Sequence, residues 1–357
     1  MFARFGLVLT VTHACNLRCT YCYAGEKFRR RMTAAIGRCA IERALRSLSP
    51  GGVLDLSFFG GEPLLEAGLI ASMIDFARET ASRSNVSVSL SLTTNGTQTR
   101  PEAWEIMTRP DLELAISHDG LPEAHDRHRV DLDGAGSSRK VEETLRRLLD
   151  VGKDFSVVTV VRPDTVHLLP EGLSYLRDLG VRRVEPSLDL WARWTEADAA
   201  RLEQAIAQSA RLWASSLPEF AVSWFDTRLG KLARVPETAS SACGFGVGEI
   251  AVSPSGRLYP CERLIGEDRE DNPMRLPGHV LEGEDFLPRE APAERADPAC
   301  DVCALKSACS TTCRCSNWVR TGDTRRPDGL QCLLDRACYR EVARAVSERG
   351  LVAACAG

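Results

Sequence analysis

Six short runs rich in β-branched and aromatic residues recur between residues 6 and 190, and segments with helical periodicity separate them. The runs are GLVLTVT, VLDLSFFGG, VSLSLTTNG, LELAISHDG, FSVVTVVRP and VRRVEPSLDL. Strands that alternate with helices along a chain pair in parallel through right-handed crossovers, so an α/β fold is predicted. Six units are too few for an eight-strand barrel, and we therefore expect a partial (β/α)6 TIM-like barrel.

The composition changes after about residue 240, where cysteine becomes dense and regular periodicity fades until a helix resumes near residues 333–349. Residues 196–216 read as an amphipathic helix that is followed by a less regular connection. We predict a barrel over residues 1–215, a connecting segment over 216–240, and a small cysteine-rich domain with a C-terminal helix over 241–357.

Bulk properties restrict the partners and the compartment. The net charge of −4 gives no electrostatic reason to expect nucleic acid. No apolar run approaches the ~18 residues of a membrane span, and the first predicted strand starts at residue 6, which leaves no room for a signal peptide. We expect a cytoplasmic protein without a membrane partner. Fourteen cysteines in a reducing compartment are better interpreted as metal ligands than as disulfides.

The first predicted strand leads into THACNLRCTYCYAG, in which Cys15, Cys19 and Cys22 stand at spacings of four and three. Three thiolates on a cubane 4Fe–4S cluster leave one iron without a protein ligand, and that iron can bind an external molecule. A zinc ion would need a fourth ligand, for which His13 is the local candidate. The spacing alone leaves both metals open.

Polar groups also follow the next three predicted strands. Gly60, Gly61 and Glu62 follow the second, Asn95 the third and Ser117 the fourth. In barrels of this kind the chemistry gathers at the carboxyl ends of the strands. The sequence therefore predicts one site at which these groups meet the cysteine loop.

The CxxxCxxC spacing, with the aromatic Tyr21 before the last cysteine, resembles the signature of the radical S-adenosylmethionine (SAM) superfamily. The resemblance implies that the open iron chelates SAM and that one electron yields a 5′-deoxyadenosyl radical, which abstracts hydrogen from the substrate. It also implies that Tyr21, Gly60, Gly61 and Asn95 belong to the SAM site, and that Glu62 meets the methionyl ammonium. Asn95 either holds the loop or touches SAM.

The stretch SHDGLPEAHDRHR after the fourth strand is similar to a segment of related maturases. Ser117 and Arg129 keep the family spacing, which implies Ser117 on the SAM ribose and Arg129 on its carboxylate, where a guanidinium can donate two parallel hydrogen bonds. The family proline is displaced by one position, with Leu121 preceding Pro122. The alternative is a polar strand end followed by a surface arginine.

Seven cysteines in the last third of the chain resemble the SPASM domain that many radical SAM enzymes carry. They are Cys243, Cys261, Cys300, Cys303, Cys309, Cys313 and Cys332. One structural zinc could use only four of them. The resemblance implies two auxiliary 4Fe–4S clusters, of which the second takes Cys300, Cys303, Cys309 and Cys332. The first takes Cys243, Cys261 and Cys313, and its fourth position is open or is filled by Glu249 or Cys315.

Glu262 directly follows Cys261. In sulfatase-maturing relatives an aspartate at this place takes a proton from the substrate, so the resemblance implies that Glu262 is a catalytic base. The alternative is a structural ion pair with Arg263 or Arg257.

Auxiliary clusters indicate oxidative chemistry that consumes SAM. We expect an oxidoreductase that modifies a peptide, forming an intramolecular crosslink as in the maturation of ribosomally made peptides, and a reductant such as flavodoxin or ferredoxin. Many peptide maturases begin with a leader-recognition domain of about 80 residues, whereas the first strand here begins at residue 6. A leader would then need a separate leader-binding protein, or the barrel itself would read a short motif. The alternatives are oxidation of an amino acid, sugar or aminocyclitol alcohol, and an iron–sulfur electron carrier without catalysis.

Overall fold

A computed structural model describes residues 1–233, 244–287, 298–306, 309 and 313–349. In these residues the strands are β1 (Phe2–Thr12), β2 (Leu48–Gly60), β3 (Ser87–Thr94), β4 (Leu112–Ser117), β5 (Ser156–Val161), β6 (Arg183–Leu188), β7 (Ala221–Val222), β8 (Glu249–Val252) and β9 (Leu258–Tyr259). The helices are α1 (Ala34–Arg46), α2 (Ala67–Arg83), α3 (Pro101–Met107), α4 (Pro122–Asp126), α5 (Ser138–Asp150), α6 (Leu169–Asp178), α7 (Glu196–Ser215), α8 (Ser223–Leu232), α9 (Pro298–Asp301), α10 (Arg314–Thr321) and α11 (Gly329–Arg349).

Two compact units make up the chain, and both are discontinuous in sequence. The first takes Met1–Ile116, Arg129–Asp154 and the described part of Ala239–Pro292. The second takes Ser117–His128 and the described parts of Phe155–Thr238 and Ala293–Gly357.

The first unit is a sheet with the strand order β4–β3–β2–β1–β8–β9. All of its pairings are parallel except that of β8 with β9. β1 pairs on both sides, with β2 and β8, and its residues from Leu7 to Thr12 are all buried. A strand buried on both faces reads as a continuous apolar run, which is why GLVLTVT lacks polar alternation.

The second unit contains the parallel strands β5, β6 and β7 in adjacent order. Helix α7 begins with a capping box in which Thr195 and Asp198 satisfy each other's backbone N–H groups. Trp224 and Phe225 of α8 are buried and pack in the core of this unit.

The parallel α/β prediction is confirmed, because all six predicted runs form strands. Helices were also predicted correctly at α7 and α11. The sequence analysis missed α10, a helix of eight residues within the cysteine-rich region. The division into a barrel, a connecting segment and a C-terminal domain stays a prediction. Across the described ranges, no helix combines the length and the apolar character that crossing a membrane requires.

Candidate active site

The loop that carries the first three cysteines begins where β1 ends, and the end of β2 lies directly against it. Gly61 donates its N–H to the Thr12 carbonyl at 2.8 Å. A Cβ on Gly61 would lie 2.3 Å from the Ala14 carbonyl oxygen, and one on Gly60 would lie 2.6 Å from that of Thr12. Both distances are shorter than real Cβ contacts, so only glycine allows β2 to approach the loop this closely.

The carboxylate of Glu62 follows these glycines and is completely buried. It accepts hydrogen bonds from the Thr94 hydroxyl at 2.7 Å, the Asn95 N–H at 2.8 Å and the Leu64 N–H at 3.0 Å. A carboxylate has about four acceptor positions, so three donors leave one for another group. No lysine, arginine or histidine pairs with Glu62 within the described ranges. Burial therefore raises the pKa of this carboxyl to about 7.

Asn95 connects the end of β3 to the cysteine loop. Its Nδ2 donates to Asn16 Oδ1 at 3.0 Å and lies 3.8 Å from Cys15 Sγ. Its Oδ1 accepts from the N–H and the hydroxyl of Thr97, and Thr97 in turn accepts from Asn16 Nδ2 at 2.7 Å. The ring of side chains fixes the first turn of the loop, which favours the loop-holding role over direct contact with a ligand.

The Cys15 thiol lies in an environment that disfavours its charged form. Burial raises its pKa to about 12, and the charges of Glu62 and Cys19 act in the same direction. The Leu17 N–H, which donates to Cys15 Sγ at 3.4 Å, opposes the shift, as does the ammonium of Lys27. A thiolate at this position needs a compensating positive charge.

The last cysteine of the loop has a cation beside it. Cys22 closes a turn by donating its N–H to the Cys19 carbonyl at 3.2 Å. The ammonium of Lys27 donates to Cys22 Sγ at 2.8 Å. The sequence analysis assigned no role to Lys27, because nothing in its spacing marks it as part of the site.

Arg129 lies beside the same loop, as expected. It is 6% exposed, and its guanidinium lies 5.3 Å from the centroid of the Tyr21 ring. The backbone next to it is joined to the loop, since the Arg18 N–H donates to the Val130 carbonyl at 2.7 Å. Arg129 is thus a buried residue and not the surface arginine of the alternative interpretation.

Ser117 is the last residue of β4 and the first residue of the segment that belongs to the second unit. It is half-buried. The stretch after it is tied to β5: the His118 N–H donates to the Val158 carbonyl at 3.0 Å, and Asp119 accepts from the Val160 N–H at 3.0 Å. The displaced proline, Pro122, occupies the first turn of α4, where its fixed φ suits a helix start.

Cys261 and Glu262 lie in the first unit, directly after β9. The Cys261 thiol is buried and donates to Glu262 Oε2 at 3.3 Å. The pair with Arg263, at 4.0 Å, is long, while Arg257 pairs instead with Asp268 and Glu270. The structural ion pair considered from sequence is therefore weak.

Tyr23, next to Cys22, lies within electrostatic range of the Glu262 carboxylate. Burial raises the pKa of the Tyr23 phenol, and the charge of Glu262 raises it further. The two side chains are therefore electrostatic neighbours within the first unit. Sequence reasoning missed Tyr23, although its place directly after the third cysteine could have drawn attention to it.

His13, the candidate fourth ligand for zinc, is directed elsewhere. Its ring is 3% exposed, stacks on Phe28 at 4.5 Å, and has Nε2 3.9 Å from the Asp268 carboxylate. The three cysteines thus have no histidine from the neighbouring backbone turned toward them, which favours a cluster over zinc.

The cysteines after residue 298 that the structure describes belong to the second unit. Cys309 Sγ donates to Asp335 Oδ2 at 3.2 Å, and Cys313 Sγ lies 3.3 Å from Cys315 Sγ. The Cys303 N–H donates to the Cys300 carbonyl, and the Cys332 N–H to that of Asp328. Cys243 lies outside the described residues.

The cysteine loop fits an iron–sulfur cluster by its chemistry. Its three soft sulfur donors lie within eight residues, and donors from Leu17, Asn95 and Lys27 reach two of them. Within the described ranges, no three His, Cys, Asp or Glu side chains already converge on one centre at metal-binding distances. The ligand assignments, including the roles of Glu249 and Cys315, therefore stay predictions.

This chain is similar to known proteins over much of its length. The sequence profile of the Radical SAM superfamily matches residues 9–176. The PqqA peptide cyclase of Rhodopseudomonas palustris is 26% identical over 356 residues, which cover 96% of this chain and 91% of the cyclase. The cysteine-type anaerobic sulfatase-maturating enzyme of Clostridium novyi is 25% identical over 279 residues, 72% of this chain and 73% of that enzyme.

Among solved structures, native anSMEcpe with bound AdoMet and Cp18Cys peptide superimposes with a TM-score of 0.76. The alignment covers 98% of this chain and 99% of that one, at 18% sequence identity. At this identity the likeness shows the fold alone.

Proposed function

We propose that this chain belongs to the radical SAM superfamily, whose sequence profile matches residues 9–176, that it binds SAM and a 4Fe–4S cluster at Cys15, Cys19 and Cys22, and that it oxidatively modifies a peptide. When bound, the cluster and SAM supply a 5′-deoxyadenosyl radical that takes a hydrogen atom from the substrate. The protein's part is to hold the SAM methionyl group, to keep water away from it, and to accept a proton from the substrate.

The buried carboxylate of Glu62 is the observation that carries this proposal. It lies at the carboxyl end of β2, against the cysteine loop, and has no cation partner within the described ranges. A buried carboxylate that keeps a free acceptor position is costly unless a bound ligand donates to it. The amino group of SAM suits that position, because it brings hydrogen-bond donors to the side of the loop where the cluster would lie.

The carboxylate of the methionyl group is assigned to Arg129. Arg129 is nearly buried and its guanidinium lies over Tyr21, while the next residue, Val130, accepts a backbone hydrogen bond from Arg18 of the loop. A positioned guanidinium can bind a carboxylate through two parallel hydrogen bonds. Glu62 and Arg129 together would orient SAM with respect to the cysteines, while Asn95 keeps the loop in shape. Ser117 is proposed for the ribose.

A peptide is the proposed substrate class. The named relatives that align over most of the chain act on peptides or proteins: one is a peptide cyclase and another a sulfatase-maturating enzyme. The solved structure with the same fold holds a peptide together with AdoMet. The product would be an intramolecular crosslink or another oxidised side chain.

Glu262 is proposed as the base of the oxidative step. Its carboxylate lies near Tyr23, directly after the third cysteine, and its pair with Arg263 is long at 4.0 Å. A carboxylate beside the cysteine loop can accept the proton that the substrate releases as it is oxidised. The electron would leave through the two auxiliary clusters proposed for the C-terminal cysteines, with Cys261 as a ligand next to the base.

The test begins with anaerobic reconstitution. We expect about twelve irons and twelve sulfides per chain, the content of three cubanes, and formation of 5′-deoxyadenosine from SAM on reduction. Zinc in place of iron, or no 5′-deoxyadenosine, would overturn the proposal. Peptides encoded beside the gene, and in parallel free amino acids and sugars, are then offered as substrates. A mass change in the small molecules alone would replace the peptide by the alternative substrate class.

The role of Glu262 is tested separately with Glu262→Gln. We expect uncoupled SAM cleavage at the wild-type rate. The product yield should fall by at least about tenfold, because general-base catalysis typically contributes about 10²–10⁴-fold in rate. Glu270→Gln, which alters a highly exposed carboxylate of the same unit, serves as the control. An unchanged product yield in Glu262→Gln would assign Glu262 a structural role.

A further inference from the structure

The ammonium of Lys27 is held against one of the three cysteine sulfurs. Its Nζ donates to Cys22 Sγ at 2.8 Å, and its charge is also felt by Cys15. Lysine side chains are flexible and lose rotamer freedom when they are fixed. A defined contact of this kind therefore requires a backbone that keeps Lys27 close to the sulfur.

The segment that carries Lys27 is anchored just before it. The Glu26 N–H donates to Glu267 Oε1 at 3.4 Å, a contact between residues 241 positions apart. Gly25 lies so close to the same side chain that a Cβ would come within 2.8 Å of the Glu267 Cγ. Gly25 also has a positive φ of +68°, which a residue with a side chain adopts only with strain.

A second anchor lies just after Lys27. Phe28 stacks on the ring of His13, and the backbone N–H of His13 donates to the Arg30 carbonyl at 2.9 Å. The Arg30 guanidinium reaches the Asp268 carboxylate at 3.4 Å, and that side chain is completely buried.

Asp268 is itself immobilised. The Tyr259 hydroxyl donates to its Oδ1 at 3.0 Å, and Arg257 lies 3.7 Å from the same oxygen. Lys27 is thus fixed from both sides by one acidic segment, Glu267 and Asp268, within the first unit. These two acidic residues satisfy the backbone and Arg30, and they leave the ammonium of Lys27 to the sulfur.

We propose that Lys27 tunes the redox properties of the cluster bound by Cys15, Cys19 and Cys22, by making its reduced form easier to reach. The inference rests on the proposed function. Reduction adds one electron, and hence one negative charge, to the cluster and its thiolates. A cation that donates a hydrogen bond to a ligand sulfur stabilises the more negative form, since hydrogen bonds to sulfur and local charge set the potentials of such clusters. The external reductant supplies the electron, and Lys27 exchanges no proton.

The functional consequence concerns the electron donor. A less negative midpoint potential allows a weaker reductant to charge the cluster before SAM is cleaved. Without Lys27, a mild donor would leave a smaller fraction of the cluster reduced. A strong chemical reductant would still reduce it.

The experiment is a potentiometric titration with sodium dithionite, followed by electron paramagnetic resonance, on the reconstituted full chain. The component whose spectrum changes on addition of SAM identifies the cluster of the cysteine loop among the others. Lys27→Met removes the charge and the donor, Lys27→Gln keeps a donor without charge, and Lys27→Arg keeps both. Lys140→Met removes the same charge from an exposed lysine of α5 that pairs with Asp131 at 3.7 Å, and is the matched control.

We expect Lys27→Met to lower the ratio of reduced to oxidised cluster at fixed potential at least ~tenfold, equivalent to a 59 mV lower midpoint potential for a one-electron couple. Lys27→Arg should stay near the wild type, Lys27→Gln should fall between Met and Arg, and Lys140→Met should not shift. Equal potentials for wild type and Lys27→Met, or an equal shift in Lys140→Met, would overturn the proposal. If Lys27→Met binds no iron, equal potentials for Lys27→Gln and Lys27→Arg would overturn it. A wild type without a SAM-responsive signal would refute the proposed function instead, before any variant is compared.

Discussion

The sulfurs of the cysteine loop and those of Cys261 and Cys309 have opposite neighbours. In the loop, hydrogen-bond donors face the sulfurs: the Leu17 N–H and Asn95 Nδ2 approach Cys15, and Lys27 reaches Cys22. Two of the later cysteines face acceptors instead, while Cys313 Sγ accepts from the Ser316 hydroxyl at 3.1 Å. Cys261 donates to Glu262 and Cys309 to Asp335.

This difference determines what each region must do when a metal binds. A thiolate has no proton to donate, so the contacts of Cys261 and Cys309 with carboxylates are lost on ligation, whereas donors to Cys15 and Cys22 remain and strengthen. The cysteine loop is therefore organised in advance by strand ends of the first unit. Ligation of a metal by Cys261 and Cys309, as proposed, would leave the carboxylates beside them in need of other partners.

The largest effect should separate the two regions by activity. Cys19→Ala should abolish formation of 5′-deoxyadenosine, because a cluster with two protein thiolates cannot be retained in the loop. Cys309→Ala should keep SAM cleavage while it lowers the iron content and the product yield. Both are measured by chromatography of 5′-deoxyadenosine and by iron analysis. Continued cleavage by Cys19→Ala would reject the ligand assignment.

A second effect concerns the carboxylate beside Cys309. Asp335 is 2% exposed and pairs with Arg228, which is also buried. Arg228→Met should lower the free energy of unfolding by about 3–5 kcal/mol, because it leaves a buried charge without its partner. Arg325→Met, which breaks the exposed pair with Asp323, should change it by less than about 1 kcal/mol.

Urea denaturation of the two arginine variants provides the measurement. If the variants are equally stable, the pair of Arg228 with Asp335 contributes nothing to the second unit. The proposed need of Asp335 for a partner other than Cys309 would then be wrong.

A third effect tests SAM binding at the pre-organised loop. Arg129→Ala should weaken SAM binding by about 1.5–3 kcal/mol, the range for a hydrogen bond to a charged group. Arg139→Ala, at an arginine of α5 that is 92% exposed, should leave it unchanged. Equilibrium dialysis of SAM against both reconstituted variants measures this, and equal affinities would remove Arg129 from the carboxylate site.

Several parts of this site were predictable from sequence because they depend on short spacing. The strands, the three cysteines and the residues at strand ends follow from local periodicity and from the rule that parallel strands present their carboxyl ends together. Asn95 and Glu62 meet in the structure because β2 and β3 are neighbours.

Other parts depend on contacts between distant segments, which spacing does not reveal. Lys27 is positioned by Glu267 and Asp268, and Tyr23 is a neighbour of Glu262, across more than half of the chain in each case. His13 was a reasonable zinc candidate by spacing alone, but burial against Phe28 and Asp268 turns its ring elsewhere. Such roles follow from tertiary packing and charge.

The smallest effect is a pH dependence at the loop, and it distinguishes Glu62 from an ordinary exposed carboxylate. Its pKa is raised to about 7 by burial, so the carboxylate that would accept from SAM is present above that pH and is lost as the pH falls through it. SAM affinity should therefore weaken by up to ~tenfold between pH 8 and pH 6, as linkage requires for a group that must be deprotonated to bind. Glu62→Gln should bind SAM more weakly at pH 8 and should lose this pH dependence, while titration of SAM itself affects both proteins alike. If the ratio of the two affinities stayed constant from pH 6 to pH 8, Glu62 would not be the group that holds the methionyl ammonium, and the pre-organisation of the loop would serve the cluster alone.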